Sequence, residues 1–343
     1  MTRILADVGG TRARFAWQAA PGAALDCIDS VDCCDFAGLT EALRDWLDRH
    51  RPGAPVEAAL ALATPITDAD EVRMTNSVWC FSRHALAASL GLERVELVND
   101  FAALALALPA LKPDELRQIG GPPAKPFARR ETVALLGPGT GLGVSGLLPG
   151  PGGCWVPIAG EGGHVSLSCS DSREDELLQI LRARFGHVSA ERVLSGEGLR
   201  NLWGALRSMD AQAQDPAPSA ARISEGALNG QDPFARRVIE TFCALLGHVA
   251  GNLALTLGAR GGVYLGGGIV PQWGTLVEHS RLCETFVAKG RFRSYLQEIP
   301  IWVIDAREPP ALRGLARLLD ARPSRARPRK KGSARPPGST THA

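Results

Sequence analysis

Thr132-Val133-Ala134-Leu135-Leu136-Gly137-Pro138-Gly139-Thr140-Gly141-Leu142-Gly143-Val144-Ser145-Gly146-Leu147-Leu148 can be read in two ways, and each implies a different fold. Gly141 to Gly146 fits the dinucleotide pattern G-x-G-x-x-G letter for letter. That fingerprint needs a helix after the glycines to receive a pyrophosphate. Here Val144 to Leu148 is β-like and runs into Pro149-Gly150-Pro151-Gly152, so no helix follows. The stretch is a strand, a glycine turn and a returning strand. No G-x-x-x-x-G-K-[ST] occurs either, which removes a P-loop.

The same plan occurs at the N-terminus. Ile4 to Ala6 leads into Asp7-Val8-Gly9-Gly10-Thr11, and Arg14-Phe15-Ala16-Trp17-Gln18 returns as a strand. In both turns backbone amides cluster around glycine beside a threonine hydroxyl, a concavity suited to phosphate oxygens. Two such turns fit a nucleotide triphosphate held between two lobes.

Other segments follow from periodicity and end signals. Leu39 to Leu47 is an amphipathic helix stopped by Pro52, and Val56 to Ala63 is a buried strand. A short helix is capped by Ser82 and ended by Gly91. Asp171 to Phe185 is a helix closed by Gly186, and residues 211–221 read as a loop. Asp232-Pro233 starts a helix reaching about Gly258; apolar nearly all round, it belongs in a core. Gly262 to Leu265 and Pro300 to Ile304 are strands, and Ala311 to Leu319 is a terminal helix.

Val95 to Val98 is a strand ending in Asn99-Asp100, with a helix from Phe101. Asn99-Asp100 could simply cap that helix. In the company of two phosphate turns, a carboxylate at a strand's carboxyl end is favoured as a general base. Gly160-Glu161-Gly162-Gly163-His164 offers a carboxylate and an imidazole on a thin backbone, suited to the hydroxyls of a small polar ligand; the alternative is a glycine-rich turn whose Glu and His are solvated.

The 343 residues allow two domains, with a 45% hydrophobic and 22% charged composition typical of a globular protein. The net charge is +2, but seven of the 38 basic residues follow Asp320, leaving 31 against 36 acids in the body. An acidic body argues against nucleic-acid binding, and the basic tail 322–343 reads as a solvated extension. No apolar run long enough to span a bilayer and no signal peptide are read, so a cytoplasmic location is expected. Eight cysteines without a C-x-x-C pair, Cys80 and Cys243 in apolar surroundings, suggest buried thiols.

Taken together, these motifs resemble the bacterial glucokinase family, within the superfamily of actin and the sugar kinases. Asp7 to Thr11 and Gly137 to Gly143 resemble its two phosphate motifs, and Gly261 to Gly268 its adenosine motif. Thr75-Asn76 with Trp79, Leu97 to Asp100, Gly160 to His164 and Ser189 to Gly196 are similar too, covering roughly residues 3 to 320 in order.

The resemblance implies a two-lobed α/β fold, actin-like (ribonuclease H-like), with the active site in the cleft between domains. It implies a small domain of residues 1–110 plus 301–321 and a large one of 111–300. Asp100 would be the base on the 6-hydroxyl of glucose, with Asn76, Asn99, Glu161, His164 and Glu191 as further sugar ligands. ATP would lie against Ala6, Asp7, Val8, Gly9, Gly10, Thr11, Gly139, Thr140, Gly141, Gly266, Gly267 and Gly268. Mg²⁺ would be held near Asp7 through water, and a homodimer is common in the family.

Three departures stand out. Arg12 replaces the usual Asn, Ala311 to Gly314 is less glycine-rich, and no cysteine cluster follows His164, so no structural zinc is expected. The expected reaction is glucose plus MgATP to glucose 6-phosphate, at the entry to glycolysis. Rivals are a kinase for another hexose or amino sugar, and a non-catalytic sugar sensor.

Overall fold

The structure, a computed structural model, describes residues 1–50, 52–75, 77–211, 216–306 and 309–321. Asn76 and the basic tail therefore lie outside the described residues. Two mixed sheets organise the chain. The first has the order β3 (Leu25–Asp32), β2 (Arg12–Gln18), β1 (Arg3–Val8), β4 (Glu57–Leu62), β7 (Arg94–Asn99). β1 runs antiparallel to β2 but parallel to β4, and β4 runs parallel to β7. The second has the order β11 (Trp155–Pro157), β10 (Leu142–Pro149), β9 (Val133–Pro138), β12 (Val263–Leu265), β13 (Ile301–Ile304), β8 (Leu116–Gly120). A hairpin of β5 (Glu71–Arg73) and β6 (Cys80–Ser82) stands apart.

Side-chain alternation explains how each sheet is covered on both faces. From β1, Ile4, Ala6 and Val8 face α1 (Leu39–His50), meeting Leu39, Leu43 and Trp46. Leu5 between them faces the other way, as do Ala59 and Ala61 of β4. In the second sheet Ala134 and Leu136 face one core, while Val133 and Leu135 face another. The larger core holds α4 (Ser172–Phe185), α5 (Gly196–Met209), α6 (Ala220–Leu228) and α7 (Pro233–Leu257). α7 is long and apolar enough to cross a membrane, but Phe242, Leu245, Leu246 and their neighbours are buried, making it a core helix.

The expected ends hold where the signal is local. Ser82 accepts from the Ala85 amide at the start of α2 (Arg83–Leu90), and Gly91 closes that helix at φ 67°. Asp171 and Asp232 cap α4 and α7 in the same way. The loop reading of 211–221 fails at its end, where Ser219 caps α6. The thiols are also more varied than expected. All eight are free, but Cys80 is exposed, donating to Glu71 Oε1, because it sits on the outer face of a two-stranded hairpin.

One helix joins the two sheets. α3 (Asp100–Ala107) presents Ala103 to the first sheet's outer layer, and Ala105 and Leu106 to the second sheet. After three short helices, α8 (Thr275–Glu278), α9 (Leu282–Val287) and α10 (Arg293–Gln297), the chain passes through β13. β13 pairs with β12 and β8, so residues 301–304 lie in the second sheet and not with the first. Among the described residues that follow, α11 (Pro310–Asp320) crosses back, packing on α3, Leu5, Ala59 and Ala61. A Cβ on Gly314 would collide with the Ala103 carbonyl, so that glycine sets how closely α11 and α3 approach.

Candidate active site

The carboxyl ends of β1, β4 and β7 are in step, Val8 opposite Leu62 and Leu62 opposite Asn99. This register brings Asp7, at the end of β1, to the same edge as Asn99-Asp100. The Asn99 side chain caps α3, accepting from the amides of Phe101 (2.9 Å) and Ala102 (3.4 Å). Because Asn99 does the capping, Asp100 stands at the first position of the helix. One oxygen of Asp100 takes the Phe101 amide at 2.8 Å, and the residue lines the cleft between the sheets.

Burial pushes the Asp100 carboxyl up to about 6 against the opposing Phe101 amide, and the charges of Asp7 and Glu161 push the same way. Asp7 is also raised by burial, partly offset by Arg14, whose guanidinium lies 3.4 Å from its Oδ2. Two carboxylates from distant parts of the chain, Asp7 and Glu161, therefore act on Asp100.

The cleft has a volume of about 440 Å³ and takes walls from both sheets: Asp7 and Arg14, Asp100 and Phe101, and Gly266 to Gly268. The triglycine follows β12, which runs parallel to β9. Gly267, at φ 79°, approaches the Pro138 carbonyl so closely that no Cβ would fit. The second glycine turn and the triglycine are thus neighbours. β9 and β10 form the expected hairpin, closed by a Gly139 amide to Gly141 carbonyl bond of 2.8 Å. A second cavity of about 610 Å³ opens beside Gly139 and Thr140, lined by Leu199, Ser224 and Leu228. Gln272 borders both cavities.

Glu161 and His164 lie on a 3₁₀ turn against the start of β10, with the His164 amide bonded to the Glu161 carbonyl at 3.0 Å. His164 Nδ1 is 3.9 Å from Glu191 Oε1, and Glu191 Oε2 accepts the Leu142 amide at 2.8 Å. The structure therefore gathers Asp7, Asp100 and Glu161, and joins His164, Glu191 and the second turn. Ala6 and Val8 have buried side chains in the core under α1, leaving only their backbone near the edge. Gly9, Gly10 and Thr11 form the first turn, with the Gly9 amide on the Arg12 carbonyl at 2.9 Å. Among the described residues, no three His, Cys, Asp or Glu side chains cluster as metal ligands.

Arg12 does not enter the cleft; it reaches Asp32 on β3 at 2.9 Å. Arg14 does, and it is a residue the sequence reading passed over. Its signal was present, since a hairpin pairing Val8 with Ala13 must pair Asp7 with Arg14. Phe101 and Gln272 were also missed, because nothing local marks them.

The family model for glucokinase matches residues 4–322. The chain belongs to the glucokinase family. It is 50% identical over 319 residues to the glucokinase of Aromatoleum aromaticum, covering 93% of this chain and 94% of that one. The glucokinase of Chromobacterium violaceum is 48% identical over 317 residues, covering 92% and 89%. Among solved structures, a glucokinase from an Antarctic psychrotroph is similar with a TM-score of 0.82 at 33% identity, covering 93% and 99%. The activity of this family member is that of a glucokinase, an ATP-dependent phosphotransferase, and its two mixed sheets are those of the family's fold.

Proposed function

We propose that Asp100 is the base that takes the proton of the glucose 6-hydroxyl as that oxygen attacks the γ-phosphorus of ATP. The supporting observation is its placement: a half-buried carboxyl raised to about 6, under the charges of Asp7 and Glu161, in the lining of the cleft. Such a group is ionised at neutral pH yet basic enough to share a proton in the transition state. The oxygen–phosphorus bond forms as the γ-phosphorus to β–γ oxygen bond breaks, ADP leaves, and the proton passes to Asp100. Positioning and charge neutralisation supply most of the catalysis.

Asn99, having committed its Oδ1 to the helix cap, has its NH₂ group to donate to a sugar oxygen. Glu161, His164 and Glu191 take the remaining hydroxyls, and Asn76 is kept as a sugar ligand from the sequence alone. A site built on such bonds rejects a sugar lacking the hydroxyl, because its own groups would be left unpaired. The amides of Gly9 to Thr11, Gly139 to Gly141 and Gly266 to Gly268 receive the phosphates. The larger cavity beside Thr140 suits the adenosine half, with Gln272 at the junction.

The paired carboxylates Asp7 and Asp100 fit a hard divalent cation, since each is raised by burial and a cation would favour the charged form. Asp7 would hold Mg²⁺ through water, and the ion, when bound, neutralises the phosphate charge. The reading has two lobes, residues 1–110 with 309–321 and residues 111–306. It includes a cytosolic homodimer; the exposed, paired Leu148 and Val156 on the edge hairpin support a partner surface. A coupled assay with glucose, mannose, fructose and N-acetylglucosamine, with and without EDTA, tests the substrate and the metal. Equal rates on all four sugars, or activity undiminished by EDTA, would reject those parts.

A further inference from the structure

We propose that the second glycine turn positions the sugar site: through Glu191, the Leu142 amide couples glucose binding to nucleotide binding. This rests on the reading of Glu191 and His164 as sugar ligands and of Gly139 to Gly141 as a phosphate turn.

The coupling is built from one shared carboxylate. Glu191 Oε2 is committed to the Leu142 amide at 2.8 Å, directly after the turn. Its Oε1 is the oxygen that faces His164, 3.9 Å away. A carboxylate anchored on one side by a backbone N–H presents its other oxygen in a fixed direction. The turn therefore aims the sugar ligand. Gly141 permits this, since a Cβ there would collide with Glu191 Oε2.

The surroundings tie the same elements together. Gly196, which opens α5 just past Glu191, donates its amide to the Gly139 carbonyl at 2.8 Å. From the other side the sugar loop lies flat on β10. A Cβ on Gly162 would strike Val144, and one on Gly163 would strike the Leu142 carbonyl. The turn is thus clamped between the segment carrying Glu191 and the segment carrying Glu161 and His164. Ordering this unit for one substrate orders it for the other, and linkage makes the effect reciprocal.

The test is titration calorimetry on the full chain, with glucose and a non-hydrolysable ATP analogue plus Mg²⁺. In the unsubstituted protein, saturating analogue is expected to tighten glucose by about tenfold, and saturating glucose to tighten the analogue equally. Gly141→Ala, although in the nucleotide turn, is expected to weaken glucose alone by about fivefold or more and to bring the coupling below about twofold. Glu191→Gln keeps an oxygen for the Leu142 amide and should retain coupling, whereas Glu191→Ala should lose it. A Gly141→Ala variant that weakens only the analogue would overturn the proposal, as would absent coupling in the unsubstituted protein. Glucose affinity unchanged in Glu191→Ala would instead reject Glu191 as a sugar ligand, a separate failure.

Discussion

The turns Asp7 to Thr11 and Gly137 to Gly143 share a backbone plan but work in different surroundings. Around the first, the decisive groups are charged: Asp7 faces Arg14 across the hairpin and acts on Asp100. Around the second they are steric. Phe101 fills the space over Gly137 and Gly143, and Glu191 fills the space beside Gly141. The first turn is tuned by burial and charge, the second by shape. Identical-looking motifs can therefore be sensitive to different substitutions.

The largest expected effect is at the charged end. Asp100→Asn should lower kcat by about 10²–10⁴-fold while glucose still binds, measured by a coupled assay and calorimetry. The same change should stabilise the fold. Asp100 has a folded pKa raised to about 6 from 3.8. Its stabilising contribution is complete below the unfolded value and is lost as pH rises through about 6. At pH 7 the ionised group therefore costs stability, and Asp100→Asn should recover roughly 1–3 kcal/mol in denaturant unfolding. A variant with full kcat would break the charge half of the comparison.

The steric half is tested by a pair of alanines. Gly143→Ala places a Cβ on the Phe101 ring, and should cost about 1–3 kcal/mol or more by overpacking. Gly9→Ala meets only the Arg12 carbonyl, at 3.3 Å, and should cost less than about 1 kcal/mol in the same unfolding measurement. Equal costs would erase the distinction.

Smaller in size is the pH response. kcat/KM should rise with pH through about 6 and level off above it, as Asp100 loses its proton. A pH–rate profile in the unsubstituted protein reads this directly, and a flat profile from pH 5 to 8 would count against the base. The smallest effect should come from Arg12→Ala. Its exposed pair with Asp32 lies outside the cleft, so stability should move by no more than about 0.5 kcal/mol and kcat hardly at all.

Much of the fold was legible because its signals are local. The caps Ser82, Asp171 and Asp232 and the stops Gly91 and Gly258 each act within one helical turn. Buried β1, β4 and β9 announce themselves as apolar runs. β3 was missed because every second residue is exposed along an edge strand studded with aspartate. β8 and β11 were missed because they are short or only partly buried. β13 was found as a strand, but residues 301–321 were expected with residues 1–110, whereas β13 pairs within the second sheet. Pairing with β12 and β8 joins residues about 40 and 180 positions away, which no local pattern encodes.

By itself the sequence determined the two glycine hairpins, the carboxylate after β7 and the family they point to, because each is a short run whose chemistry is carried by adjacent residues. Only the tertiary structure decided which groups meet. It turned Arg14 toward Asp7 and Arg12 away, gave the cap to Asn99 with Asp100 beside it in the cleft lining, and placed Glu191 on the Leu142 amide. Those outcomes depend on strand register and side-chain burial, which arise when distant segments pack, and they set both the charge of Asp100 and the aim of Glu191.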